Sequence, residues 1–416
     1  MAAPQVFPIA QVPLTTHAFS PDRSQVAVSL NNNDAQIYTR HGQEWTLTET
    51  LSEHDKLITS IDWAPQSNRI VTASQDRNAY VWSQSPDPST GQLVWKPTLV
   101  LLRINRAATY VRWSPREDKF AVASGARAIC ICSFDEENNW WVARLIKKPI
   151  RSTVLSVDWH PNNVLLAAGS ADMKARVFSA YIKDVDKRPL PSVWGEKLPF
   201  NTLCGEFASP SGGWVHSVAF SPSGDLLAFA SHDSSITVVY PDASGAHGLI
   251  NIKGSTLPYL TLIWTAEDAI VAAGHDCQPV LFKGGPEGWA MTASLDDATS
   301  TPRSAGGSPK PGVPPRNAGG VGRLNSAAFN TFRNADTRGG INPGGPTLAS
   351  PGGVGVESEI MTVHQNTITA VRPYEHGANG EVTKVSTTGL DGKLVIWSVN
   401  AGAAGLAARL GGVHLR

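Results

Sequence analysis

One pattern recurs seven times along this 416-residue chain, and it constrains the fold more than any other feature. An aromatic or β-branched anchor stands two positions before a proline in Phe19-Ser-Pro21, Trp63-Ala-Pro65, Trp113-Ser-Pro115, Trp159-His-Pro161, Phe220-Ser-Pro222 and Val371-Arg-Pro373; Trp264-Thr-Ala266 is a looser copy. A second anchor closes each unit six residues after an aspartate: Asp76 to Trp82, Asp172 to Phe178, Asp233 to Val239, Asp276 to Phe282 and Asp391 to Trp397. Asn32 to Tyr38 and Ala126 to Cys132 keep the spacing without the aspartate. Successive closing anchors lie 44, 50, 46, 61, 43 and 115 residues apart. A period of roughly 40–45 residues is that of a four-stranded propeller blade. The pattern therefore predicts seven blades, with an insertion of about 16 residues in the fifth unit and about 70 before the last anchor.

Within a unit the reading is strand, turn, strand, turn, strand. Ile58-Thr-Ser-Ile-Asp-Trp63 alternates and is β-branched, as a half-buried strand requires. Ile70-Val-Thr-Ala-Ser74 is short and small, suited to a strand packed between neighbouring blades, and Ala79-Tyr-Val-Trp82 follows the Asp76-Arg-Asn78 turn. A fourth, more variable strand is expected near Trp45–Leu51. One such sheet cannot bury both faces alone, whereas blades stacked around an axis can. The fold class is all-β: a seven-bladed WD40 β-propeller over residues 1–400, whose last blade takes its outer strand from Val6-Phe-Pro-Ile9. The Ala/Leu/Gly-rich residues 401–416 read as a short helix or tail.

Composition narrows the function classes. Lys plus Arg equal Asp plus Glu at 35 each, so no global charge argues for nucleic acid or a membrane surface. No run of 18 apolar residues and no secretory leader pattern is present. Cys130, Cys132, Cys204 and Cys277 lack metal-ligand spacing and suit a reducing cytoplasm, so neither metal nor cofactor is expected. Gly284-Gly-Pro-Glu-Gly288 and Gly352-Gly-Val-Gly355 lack the Lys-Ser/Thr that a phosphate-binding loop requires.

Two units combine a histidine, a hydroxyl residue and an aspartate: His54, Ser74 and Asp76, then His364, Thr387 and Asp391. A nucleophilic triad uses the same residue types. Each trio, however, comes with a tryptophan at constant offset, Trp82 or Trp397. In WD-repeat blades such a set is a structural hydrogen-bonded relay, and buried polar networks persist only when every member is satisfied. An enzyme is not expected.

Between the sixth and seventh units, residues 294–358 hold 13 Gly and 8 Pro, too few apolar groups to fold alone. The middle differs. Over residues 323–336, Leu324, Ala328, Phe332 and Ala335 form one helical stripe with Phe329 at its flank. Asn325 or Ser326 can cap its start, and Gly339-Gly340 stops it. Two phenylalanines on such a helix suit docking into a groove on another protein. From Ala298 to Val356 there are six basic residues and one acidic, which suits an acidic partner surface.

Several stretches resemble one family closely: Asp62-Trp-Ala-Pro65, Ser67-Asn-Arg-Ile-Val71, Asp76-Arg-Asn-Ala-Tyr-Val-Trp82, Trp159-His-Pro-Asn-Asn-Val-Leu-Leu-Ala-Ala-Gly-Ser170, Arg176-Val-Phe-Ser-Ala-Tyr-Ile-Lys183 and Thr387-Thr-Gly-Leu-Asp391. The chain is similar to the WD-repeat subunit (subunit 1) of the actin-related protein 2/3 complex, in the style of a fungal member. The likeness runs from the N-terminal strand to the last blade, and Phe332-Arg-Asn-Ala-Asp336 matches the helix that family carries between blades six and seven. The resemblance implies a non-catalytic scaffold in the cytoplasmic, cortical actin cytoskeleton, supporting filament nucleation and branching. Its partners would be actin-related proteins, other subunits, the mother actin filament and acidic or connector segments of activating proteins. Phe329, Phe332 and Arg333 are the filament-facing candidates that the resemblance implies, and Leu324 joins them as a partner-binding candidate. The competing expectation is a generic WD40 peptide reader such as a ubiquitin-ligase adaptor, which has no reason to carry an amphipathic insertion.

Overall fold

A computed structural model describes residues 3–196, 198–241, 247–296 and 362–399. They form seven four-stranded antiparallel sheets arranged as blades about one axis. Blade 2 shows the plan: Ile58–Trp63 lines the axis, Ile70–Ser74 and Asn78–Pro86 follow, and Leu93–Leu101 lies outermost. The innermost strands touch in sequence around the ring, and Thr16–Phe19 of blade 1 meets Ile368–His376 of blade 7. The second strand Lys119–Ser124 is buried along its whole length, whereas Glu44–Ser52 at the outer rim is mostly exposed.

Glu44–Ser52 pairs with Asp34–His41, so it is the outer strand of blade 1 and not the fourth strand of the Ile58 unit. The tight Gly42-Gln43 connection, with Gly42 at φ 64°, folds the chain straight back on the strand it has just left. Blade 2 takes Leu93–Leu101 in that role.

Blade faces alternate with period two, and each face packs on a different neighbour. In the strand Ala128–Asp135, Cys130 and Cys132 join the cluster shared with blade 2, while Ile129 and Ile131 join the one shared with blade 4. Seven such hydrophobic clusters fill the seven interfaces between blades. Each fully buried Val, Leu or Ile in them contributes about 1.5–3 kcal/mol. Burial of the Cys130 thiol pushes its pKa up to about 12, so it behaves as a packing group.

The ring closes through the N-terminus. Gln5–Pro8 pairs antiparallel with Lys393–Ser398, Gln5 opposite Ile396 and Pro8 opposite Lys393. Phe7 thereby reaches the cluster of Phe19, Val26, Leu394 and Ile396 between blades 7 and 1. The predicted helices at 323–336 and 401–416 lie outside the described residues.

Candidate functional site

The two histidine sets are relays. Trp82 Nε1 donates to Thr72 Oγ1 at 3.0 Å, Thr72 Oγ1 lies 2.9 Å from His54 Nε2, and His54 Nδ1 lies 2.6 Å from Asp76 Oδ2. In blade 7, Trp397 Nε1 donates to Thr387 Oγ1 at 2.7 Å, His364 Nε2 is 2.7 Å from that hydroxyl, and Asp391 is 3.0 Å from Nδ1. Ser74 is a correction: Thr72 holds its place. Blade 7 sets the spacing, since Thr387 stands four residues before its aspartate and the corresponding position in blade 2 is Thr72. Ser74 sits nearer the turn, where its hydroxyl donates to the Lys56 carbonyl at 2.7 Å and accepts the Asp76 N–H at 3.1 Å.

The order of bonds decides the chemistry. An ionised aspartate accepts from Nδ1–H, which leaves Nε2 to accept the threonine proton and the hydroxyl oxygen to accept the indole N–H. Thr72 and Thr387 are both fully buried, so neither hydroxyl can meet a substrate. Burial alone would raise the Asp76 carboxyl, but the hydrogen bonds from His54 and from the Asn78 and Asp55 amides outweigh it and hold it below the usual range. Asp391 is held low in the same way by His364, Gln365 and Lys393.

A polar network that the repeat pattern did not reveal surrounds the axis. Asp62 accepts the Trp113 N–H of the next blade at 2.8 Å, and Asp158 accepts the Phe220 N–H at 2.9 Å. Arg112 lies 3.3 Å from Asp62, and Arg372 of blade 7 reaches the same carboxylate at 3.3 Å while donating to the Ile61 carbonyl at 2.9 Å. Burial pushes the Asp158 carboxyl up to about 6 despite nearby Arg112. A cavity of about 150 Å³ is lined by the first strands of all seven blades, Thr16, Thr59, Tyr110, Ser156, His216 and Arg372 among them.

The rim bearing the aspartate turns carries a different signal over blades 2 to 4. Arg77, Arg103, Arg106, Arg127, Lys147, Lys148 and Arg151 are exposed there. None of the seven forms an ion pair among the described residues. The nearby Asp172 carboxylate is taken by Arg176 at 2.9 Å, and blade 3 has Ala126 where five blades have an aspartate. Arg77 and Arg127 stand one residue past the aspartate position with left-handed φ of 77° and 57°. Blade 7 fills that position with Gly392, where the conformation is free of side-chain strain. Met173, Ser234 and Cys277 take the same position in blades 4, 5 and 6 with φ of 67°, 66° and 60°, so the left-handed turn is common to the blades and what Arg77 and Arg127 add to it is a cation. The cue in the sequence was the missing aspartate at Ala126. The partner-binding candidates Leu324, Phe329, Phe332 and Arg333 lie outside the described residues.

A closed seven-bladed ring with histidine relays bonded inside its blades and a charged, open rim defines a WD-repeat β-propeller. Residues 45–83, 146–179 and 201–238 match the family described as WD domain, G-beta repeat. Two of these matches open on the outer strand of one blade or at its end, the third just before it, and all end on the third strand of the next, so the sequence repeat is offset from the structural blade. The chain is 49% identical over 407 residues to actin-related protein 2/3 complex subunit 1 of Schizosaccharomyces pombe, covering 96% of this chain and 100% of that one. It is 48% identical to subunit 1A-B of the same complex from Xenopus laevis, over 92% of this chain and 94% of the relative. The Saccharomyces cerevisiae subunit 1 is 38% identical over 95% and 97%. The chain belongs to the actin-related protein 2/3 complex subunit 1 family.

Proposed function

We propose that this chain is a non-catalytic scaffold subunit of an actin-related protein 2/3 complex in the cytoplasmic actin cytoskeleton. It holds the actin-related proteins and other subunits while a filament branch is nucleated. The observation that carries this reading is identity along nearly the whole chain to proteins named for that complex, including a relative matched over 100% of its length. The relays support it, because the His, Thr and Asp side chains that could do chemistry are bonded to one another inside the blades.

Two contacts complete the proposal. The insertion with Leu324, Phe329, Phe332 and Arg333 grips the mother filament, on the strength of its amphipathic pattern and basic balance. The basic rim of blades 2 to 4 receives acidic segments of activating proteins by charge complementarity. Purification of the tagged chain from its own cytoplasm tests the first statement: actin-related proteins should co-purify, and a ubiquitin-ligase core in their place would sink it. Phe329→Ala with Phe332→Ala tests the second. The complex should assemble normally while filament co-sedimentation and branch density fall, each anchor being worth on the order of 2 kcal/mol. Unchanged branching would remove the helix from the filament contact.

A further inference from the structure

The connection between the third and fourth strands of blade 4 contains Lys187-Arg-Pro-Leu-Pro191, and Leu190 is 85% exposed. No other large apolar side chain among the described residues stands so far into solvent. Both ends of the segment are fixed. Asp186 is buried, pairs with Lys119, accepts the Ile182 N–H at 2.8 Å and accepts Asn163 Nδ2 at 3.0 Å. On the other side, Ser192 bridges to Gly195, and Trp194 is buried with its indole N–H on the Gly224 carbonyl at 2.8 Å. The exposure of Leu190 is therefore the property of a held loop.

The backbone between the anchors is restrained by covalent chemistry. Pro189 and Pro191 fix their own φ near −65°, and each proline bars the preceding residue, Arg188 or Leu190, from the helical region. These restraints on two φ angles and on the two pre-proline residues favour an extended, left-handed polyproline II course over residues 188–191. Residues 187–191 make no backbone hydrogen bond among the described residues, as that conformation requires. With three residues per turn, Arg188 and Pro191 share one edge and Leu190 stands beside Pro191. Arg188 and Lys187 are exposed and make no ion pair among the described residues.

We propose that Arg188-Pro-Leu-Pro191 is a preformed ligand for an SH3-type domain, a module whose aromatic-lined groove reads polyproline II segments. Leu190 and Pro191 fill one dipeptide slot of the groove, and Arg188 reaches an acidic pocket beside it. The held backbone lowers the ordering cost that a flexible peptide would incur. Trp194, turned into the core, leaves the second slot unfilled, so the contact is a weak and transient one. The loop belongs to the end of the ring opposite the basic rim, because the first-to-second and third-to-fourth connections share that end.

The test uses the purified complex containing the full chain and a ¹⁵N-labelled SH3 domain that reads Arg-x-Leu-Pro. The complex should broaden the amide resonances of the aromatic groove selectively. Leu190→Ala, Pro191→Ala and Arg188→Glu should each weaken the effect about tenfold, the loss of one anchor. Thermal melting of these variants should match the parent, since the altered side chains pack on little. No broadening by the parent complex would overturn the proposal. So would broadening that survives Leu190→Ala, or capture of a WW domain with the SH3 domain unaffected.

Discussion

At the scale of single residues, a buried polar group is kept only where every bond is made, and its neighbours decide whether it stabilises. Thr72 links Trp82 to His54, so Thr72→Val strands both the indole N–H and the imidazole inside blade 2. The expected loss is about 1–3 kcal/mol for unsatisfied buried groups, against about 1 kcal/mol for Ser74→Ala. Urea unfolding of the two variants checks this, and a larger effect at Ser74 would restore Ser74 to the relay. Asp158 gives a pH prediction. Its folded pKa of about 6 lies above the unfolded carboxylate value near 3.9, so its contribution is full below about pH 4 and is lost as pH rises through 6. Asp158→Asn should therefore remove a downward slope of stability between about pH 4 and 7, read as the difference between parent and variant unfolding curves. The subtraction matters because His17 acts with the opposite sign. Burial holds its imidazole at about 3, and the stability it contributes is lost as pH falls from about 6.5 through that value.

At the scale of elements, a recurring irregularity joins the blades. The innermost strand shifts register near its start in six blades, as between Ile58 and Ser60, Ala108 and Tyr110, and Ile368 and Ala370. The residue left out of the ladder is Thr59, Thr109 or Thr369 in three of them, and its hydroxyl donates to the adjacent blade: Ala108 O at 3.0 Å, Val154 O at 2.6 Å and Leu14 O at 2.8 Å. The N-terminal strap depends on a glycine in the same manner. Gly392 takes φ 75°, its carbonyl accepts from Ile9 and Ala10, and a Cβ there would lie 1.9 Å from the Ala10 carbonyl oxygen. Gly392→Ala should cost about 1–3 kcal/mol and speed amide exchange at residues 5–8 more than in blades 3 and 4. Uniform exchange across the ring would show that the strap is not what the substitution loosens.

At the scale of the whole molecule, the ring presents two unlike ends. The basic rim lies over blades 2 to 4, where three adjacent blades contribute cations and blade 3 lacks its aspartate. Arg103→Glu with Arg127→Glu should weaken capture of an acidic activator segment and reduce its sensitivity to salt, leaving thermal stability near the parent value. Titration of the segment at two ionic strengths reads both effects, and unchanged affinity would place that contact elsewhere.

Blade number and the order of the first three strands in a unit were legible in the sequence because each follows from a period repeated seven times, and the His, Asp and Trp members of both relays were legible from their constant offsets. The strand Glu44–Ser52 was misassigned and Ser74 stood in for Thr72 for a related reason: pairing and facing are decided by what packs alongside. The same holds for the axial carboxylates. Asp62 in the sequence is one more polar residue before a tryptophan, and only the closed ring brings Trp113 and Arg372 to it. The sequence by itself determined the architecture, since a local repeat carries its own spacing wherever the chain runs. The tertiary structure alone decided which charges are spent inside and which stand free on the rim, because burial and neighbours across blades are properties of the assembled ring.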